Sequence, residues 1–93
     1  MTKEKYISDP FSENLADSEN NYHLILFNDE IHTFDYVIDA LMEICHHTNI
    51  QASQCTLIVH YKGKCDIKIG TYKDLIPLRN ALVNKELNAT INQ

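Results

Sequence analysis

The chain has 93 residues, a length that accommodates one domain with a small hydrophobic core. Lys and Arg number 8 against 13 Asp and Glu, and the net charge of −5 disfavours nucleic acid or an anionic membrane surface as a partner. Hydrophobic residues make up 44% of the chain, which is typical of a globular domain, and two glycines are too few for a Gly-rich phosphate-binding loop.

Residues 1–20 differ in composition from the rest of the chain. They contain two lysines and five acidic residues, and their sparse apolar residues follow neither a two-residue nor a sustained helical period. We therefore interpret residues 1–20 as a flexible acidic N-terminal arm and residues 21–93 as a folded core domain. No segment resembles a signal peptide or a membrane span. The chain has three cysteines, an odd number that cannot all pair with one another. Together these features predict a cytoplasmic protein with reduced thiols.

A strand and an amphipathic helix are predicted at the start of the folded part. The apolar run at 22–27 is rich in strand-forming residues and is followed by a polar turn pair. Thr33 then has the position of an N-cap, after which apolar residues recur every three or four positions. We expect this helix to end near His46 and His47, with both imidazoles in a solvated last turn.

A second helix and two further strands are predicted downstream. Thr48 and Gln51 have capping-box spacing and open a helix that we expect to end near His60. Apolar and polar residues alternate at 65–69 and again at 87–91, which predicts one half-buried strand in each segment.

The third predicted helix begins after Thr71 and contains a proline. Because an interior proline removes a helical hydrogen bond, we expect the helix to start nearer Pro77 or to have an irregular first turn. The resulting order β-α-α-β-α-β predicts an α+β domain with two layers. Its three helices would pack on a three-stranded, mainly antiparallel sheet.

A metal-binding regulatory domain is one functional alternative, and its candidate ligands are Cys45, Cys55, His60 and Cys65. The cysteines are ten residues apart, however, whereas structural zinc sites use closely spaced ligand pairs. Each cysteine also falls on a predicted apolar face, where free cysteines usually behave as small hydrophobic residues. The pattern favours buried thiols and no metal ligand, but it leaves the metal alternative open.

Catalytic motifs are absent from the sequence. Cys55 and His60 share a predicted helix, but at five residues apart their side chains point away from each other. The chain has no nucleophile elbow, Walker A or dinucleotide-binding glycine pattern. The sequence therefore argues against an enzyme.

The turn between the first strand and the first helix carries unusual chemistry. Asn28, Asp29 and Glu30 supply oxygen acceptors, and they lie beside Phe34 and Val37, which are at helical spacing. Such acceptors bind an ammonium group, while the apolar helix face can bury whatever is attached to it. From these residues alone, the segment is either the ordinary polar turn of a structural interaction domain or a small site for a cationic ligand.

Three motifs together resemble those of the ClpS family of Clp protease adaptors. They are the turn N-D-D/E, the helix segment V-I-D and the helix end V-H-x-x-G-K, which occur here at 28–30, 37–39 and 59–64. The resemblance spans about residues 22–91 and favours the cationic-ligand interpretation. It implies a monomeric, non-enzymatic adaptor without a cofactor. Such an adaptor binds proteins with N-terminal Leu, Phe, Tyr or Trp and delivers them to the N-terminal domain of a AAA+ Clp unfoldase.

The resemblance also implies that one group of site residues binds the α-amino group and another forms a hydrophobic pocket. The residues that correspond to the α-amino-binding group are Asn28, Asp29, Glu30 and His60. Those that correspond to the hydrophobic pocket are Phe34, Val37, Thr56, Val59 and Leu87. Phe34 and Thr56 stand where the family often has Met, so we expect a narrowed or reshaped pocket. Residues 1–20 match the family's N-terminal arm, which helps to engage the unfoldase.

Overall fold

Six elements make up the part of the chain that the computed structural model describes, residues 21–93. The predicted arm, residues 1–20, lies outside the described residues. The elements are strand β1 (Tyr22–Phe27), helices α1 (Phe34–Cys45) and α2 (Asn49–Lys62), strand β2 (Lys64–Gly70), helix α3 (Tyr72–Asn84) and strand β3 (Asn88–Asn92). This order confirms the predicted β-α-α-β-α-β arrangement.

The sheet has the strand order β2-β1-β3, and β1 pairs antiparallel with both neighbours. Phe27, at the end of β1, pairs with Lys64 at the start of β2 and with Asn88 at the start of β3. The carboxyl end of β1 therefore lies beside the chain leaving α2 and beside the chain entering β3. This register brings together the segments that form the candidate site.

The hydrophobic core lies between the sheet and the helices. Helix α3 contacts all three strands, α2 contacts β2, and α1 packs on both α2 and α3. Leu24 and Leu26 alternate along β1 and are fully buried, as are Leu41 of α1 and Leu75 and Leu82 of α3. Burial of each such leucine stabilises the domain by about 1.5–3 kcal/mol. The small core that the chain length predicted is thus built around the central strand.

A threonine N-cap precedes each helix. The side chains of Thr33, Thr48 and Thr71 each accept a hydrogen bond from a backbone N–H in the first helical turn. At Thr48 the Gln51 side chain also accepts a hydrogen bond from the capping residue, which completes the predicted capping box. Because these caps satisfy N–H groups that have no helical partner, they fix where each helix starts.

Two local expectations differ from the structure. Helix α1 ends at Cys45, close to the predicted His46, but the His47 side chain is not solvated, because its Nε2 atom lies 2.8 Å from the carbonyl oxygen of Ile67 in β2. Pro77 lies within α3, which begins at Tyr72 and not near the proline. The proline is tolerated because it stands close to the start of the helix, where the carbonyl that loses its partner belongs to the exposed Lys73.

Gly63 joins the end of α2 to the turn that follows β1. Its backbone has φ 92° and forms the left-handed C-cap of α2. The Gly63 N–H donates to the Val59 carbonyl at 2.9 Å, and the Gly63 carbonyl accepts from the Asn28 N–H at 2.9 Å. A left-handed conformation is favourable for glycine and costs other residues energy. The sequence pattern G-K after the helix end therefore has a structural reason.

We expect Gly63→Ala to lower the free energy of unfolding by about 1–2 kcal/mol, because alanine is strained in the left-handed region. Urea denaturation measures the change. Gly70→Ala is the matched control, since Gly70 has no positive φ and an added Cβ would lie 3.9 Å from Leu75, an ordinary contact. Equal effects of the two substitutions would contradict the role assigned to Gly63.

Candidate functional site

A hollow of about 170 Å³ lies where the turn after β1 meets α1, α2 and the chain entering β3. All nine residues that were predicted to form the site line this hollow. Three further residues, which the sequence did not single out, also line it: Leu26, Phe27 and His32. The structure thus brings together segments that are up to 61 positions apart in the sequence, between Leu26 and Leu87.

The polar end of the hollow is organised around Asp29. One carboxylate oxygen, Oδ1, accepts hydrogen bonds from the backbone N–H groups of Ile31 at 2.8 Å and His32 at 2.9 Å. The other oxygen, Oδ2, lies 3.0 Å from Nδ1 of the His32 ring. These contacts fold residues 29–32 into a tight turn and fix the direction of the carboxylate.

The same contacts favour the ionised form of Asp29. Burial alone would raise the pKa of Asp29, but hydrogen bonds from the His32 backbone, the His32 ring and the Ile31 backbone together hold that pKa below its ordinary value. A carboxylate has more acceptor positions than these three bonds use. Asp29 can therefore present a negative charge to a ligand in the hollow.

Other polar groups around the hollow are open to a ligand. Within residues 21–93, the side chains of Asn28, Glu30 and His60 make no hydrogen bond to another residue. Glu30 and His60 are exposed, and Asn28 is half-buried with its backbone N–H held by Gly63. These groups could accept hydrogen bonds from a cation without breaking any existing interaction.

Apolar side chains form another part of the wall of the hollow. Val59 and Leu87 are buried, and Val37 is half-buried. Thr56 is buried as well, and its hydroxyl donates to the Ala52 carbonyl at 2.7 Å. Because the helix backbone satisfies that hydroxyl, Thr56 can stand among apolar residues without an unpaired polar atom. A hydrophobic side chain placed here would be taken out of water.

Phe34 stands at the rim of the hollow and not in its interior. It is 41% exposed, and its ring packs edge-on against the His60 ring with a centroid distance of 5.2 Å. His60 in turn packs edge-on against the exposed Tyr61 at 4.9 Å. Aromatic pairs with this geometry are weakly attractive. The contact with Phe34 therefore helps to hold the His60 imidazole at the mouth of the hollow.

His32 is the functional candidate that sequence reasoning missed as a site residue. Its side chain is 11% exposed and contacts Asp29, and its ring stacks on Tyr36 with a centroid distance of 4.6 Å. The available signal was its spacing from Asp29, because a residue three positions after an Asp in a turn can return a hydrogen bond to it.

The cysteines do not assemble a metal site in the described part of the chain. No group of three or more His, Cys, Asp or Glu side chains within residues 21–93 is arranged to hold a metal ion. Burial raises the pKa of the Cys45 thiol to about 11, and burial together with neighbouring Cys55 raises that of Cys65 to about 12. Metal binding requires thiolates, so both thiols are poor ligands here.

No helix in the described residues is long and apolar enough to cross a membrane. The described residues form a small α+β domain with one hollow that is lined by both hydrogen-bond acceptors and apolar side chains.

Comparisons with known proteins define the family. The model of the family described as ATP-dependent Clp protease adaptor protein ClpS matches residues 17–90. The chain is 39% identical over 64 residues to the ATP-dependent Clp protease adapter protein ClpS of Acetivibrio thermocellus, a match that covers 69% of this chain and 64% of that protein. The same protein of Cronobacter sakazakii is 36% identical over 64 residues, covering 69% of this chain and 59% of that protein.

The fold is also shared with a solved structure. The structure of Agrobacterium tumefaciens ClpS2 bound to L-phenylalaninamide aligns with a TM-score of 0.73 and 16% sequence identity, covering 80% of this chain and 96% of that chain. The chain belongs to the ClpS family of Clp protease adaptors, which are not themselves proteases. It spans somewhat less than two thirds of the length of the two curated relatives described.

The lowered pKa of Asp29 predicts a pH-dependent contribution to stability. Because the folded-state pKa lies below the unfolded value, the contribution is fully present above about pH 4 and is lost as the pH falls through the folded-state pKa. Asp29→Asn mimics the protonated form, so we expect it to lower the free energy of unfolding by about 1 kcal/mol at pH 7. The difference from the unaltered protein should shrink as the pH falls below 4.

Urea denaturation at several pH values measures this difference, and Asp39→Asn is the matched control because Asp39 is exposed on α1. If Asp29→Asn lowers the free energy of unfolding by the same amount at pH 7 and at pH 2.5, the stabilising role of the ionised Asp29 carboxylate is contradicted.

Proposed function

We propose that the hollow binds the free N-terminus of proteins whose first residue is large and hydrophobic, and that the chain delivers such proteins to a AAA+ Clp unfoldase. The observation that carries the proposal is the pairing of the ionised Asp29 and its neighbouring open acceptors with an apolar wall in one small hollow. Membership of the ClpS family supports it. So does the ligand of the structural relative, L-phenylalaninamide, which has a free α-amino group and an aromatic side chain.

Recognition of the terminus rests on charge and on the number of donors. An α-ammonium group carries a positive charge and three N–H donors, whereas an internal peptide nitrogen has one donor and no charge. Acceptors for those donors are offered by Asn28, Asp29, Glu30 and His60. Each hydrogen bond to a charged group contributes roughly 1.5–3 kcal/mol. Only the neutral imidazole of His60 has a nitrogen that can accept a hydrogen bond.

Recognition of the first side chain rests on burial against Val37, Val59 and Leu87. Removing a leucine-sized side chain from water contributes about 1.5–3 kcal/mol, so the side chain and the amine contribute comparable amounts. Association itself costs at least about 4 kcal/mol. When the cost of association is subtracted from the contributions of the amine and the side chain, we expect a dissociation constant in the micromolar range. Phe34 at the rim and Thr56 at the wall shape which large residues fit best.

The remaining parts of the proposal concern the chain as an adaptor. It has no catalytic role of its own, it acts as a monomer in the cytoplasm, and residues 1–20 help to engage the N-terminal domain of the unfoldase. The three free cysteines are consistent with a reducing compartment. A metal-binding function has no support from the described residues.

Fluorescence anisotropy with labelled peptides tests the proposal. We expect a Leu-initiated peptide to bind about 50-fold more tightly than an Ala-initiated one, because three extra carbons contribute about 0.8 kcal/mol each. A Phe-initiated peptide should also bind, and an acetyl-Leu peptide should bind poorly because acetylation removes the charge and two donors. Equal affinity for the free and acetylated Leu peptides would contradict amine recognition.

The same assay tests the role of Asp29. We expect Asp29→Ala to weaken binding of the Leu peptide at least about tenfold, since it removes a charged acceptor worth roughly 1.5–3 kcal/mol. Asp39→Ala, at an exposed position on α1, is the matched control and should leave the affinity unchanged. Circular dichroism checks that both variants are folded, and an unchanged affinity for folded Asp29→Ala would count against the site.

Delivery can be separated from binding by removing residues 1–20. The shortened chain should bind the Leu peptide as tightly as the full chain, because all residues around the hollow remain. It should fail to support degradation of a Leu-initiated protein by the purified unfoldase and peptidase. Undiminished degradation would refute the role proposed for the arm.

A further inference from the structure

We propose that His32 and Tyr36 are positioning residues for Asp29. They form a continuous line of contacts from the turn between α3 and β3 to the acidic turn, and this line holds the carboxylate in the direction that receives an N-terminus. The inference rests on the proposed function of the hollow. It adds to that function a residue, Tyr36, that does not line the hollow.

The first contact joins His32 to Asp29. The His32 Nδ1 atom lies 3.0 Å from Asp29 Oδ2. An ionised carboxylate can only accept a hydrogen bond, so Nδ1 must carry a hydrogen and donate it. The side chains are 11% exposed for His32 and 23% for Asp29, which shields this bond from competing water. His32 therefore fixes Oδ2, the oxygen that the backbone N–H groups of the turn do not hold.

The second contact fixes the His32 ring itself. The ring stacks on Tyr36, with a centroid distance of 4.6 Å and an angle of 17° between the ring planes. Because this stacking restricts rotation of the imidazole, the Nδ1–H group stays aimed at the carboxylate. Without Tyr36, the His32 side chain would populate more rotamers. Ligand binding would then cost more conformational entropy.

The third contact anchors Tyr36 to another part of the fold. Its hydroxyl donates to the backbone carbonyl of Lys85 at 2.9 Å, in the turn that connects α3 to β3. Lys85 also forms an ion pair with Glu43 of α1, with its Nζ atom 3.4 Å from the carboxylate. The apolar wall residue Leu87 follows two positions later. The line of contacts thus ties the polar end of the hollow to its apolar wall.

These contacts orient the Asp29 carboxylate before a ligand binds. A carboxylate that is already oriented loses little conformational freedom when the ammonium group arrives. Loss of either positioning residue should therefore weaken binding of a free N-terminus even though no ligand contact at Asp29 has been deleted.

The test combines two measurements on His32→Leu, His32→Asn, Tyr36→Phe and Tyr72→Phe. The first is the pKa of the Asp29 carboxyl by NMR without peptide, and the second is the affinity for a Leu-initiated peptide. His32→Leu should raise that pKa towards the ordinary carboxyl range and weaken binding about fivefold or more. His32→Asn should return the Asp29 pKa towards that of the unaltered protein, because the asparagine amide nitrogen occupies nearly the place of Nδ1. Its affinity should recover only in part, because asparagine has no ring to stack on Tyr36.

The variants Tyr36→Phe and Tyr72→Phe distinguish loss of the hydrogen bond from Tyr36 to Lys85 from the general effect of removing a tyrosine hydroxyl. Tyr36→Phe keeps the ring but removes the bond to Lys85, so binding should weaken by about twofold or more. Tyr72→Phe is the matched control, since the Tyr72 ring packs edge-on against Tyr22 and does not line the hollow. Its affinity should be unchanged.

Each outcome has a distinct meaning. If the unaltered protein binds the Leu peptide while His32→Leu and Tyr36→Phe bind equally well, the positioning role is overturned and the proposed function stands. Weaker binding by His32→Leu without a change in the Asp29 pKa, or without recovery of that pKa in His32→Asn, overturns it too. If the unaltered protein does not bind the Leu peptide, the proposed function fails and this inference fails with it.

Discussion

The hydrogen bond from the Asn28 N–H to the Gly63 carbonyl is the interaction on which the rest of the site depends. It connects the turn that carries Asn28, Asp29 and Glu30 to the helix end that carries His60. Gly63 can make this bond and cap α2 at the same time because its φ of 92° suits glycine. Two segments more than 30 positions apart in the chain are thereby held at the distance a small ligand requires.

The hollow also shows how function is built at a cost in stability. Asp29 is partly buried, and three hydrogen bonds outweigh the effect of that burial on its pKa. Val37 and Phe34 leave apolar surface in contact with water that a fully packed core would have covered. Open acceptors and uncovered apolar surface are what a binding site needs, and a protein optimised only for stability would remove both.

Much of this fold could be predicted from local patterns. The threonine caps, the apolar run of β1 and the alternation in β2 are features of neighbouring residues, so the element order followed from the sequence. The contacts that the sequence did not predict are tertiary. The His47 ring contacts the Ile67 carbonyl of β2, and the Phe34 ring, which lines the hollow, also packs on His60. The line from His32 through Tyr36 to Lys85 spans α1 and the α3–β3 turn, so no local pattern contains it.

A crystal structure of the protein with L-leucinamide tests the central claim most directly. The account predicts an ammonium nitrogen about 3 Å from acceptor atoms of Asn28, Asp29 and His60, with the isobutyl group between Val37 and Val59. Leucinamide bound with its amino group in solvent, or bound on another surface of the domain, would contradict the account.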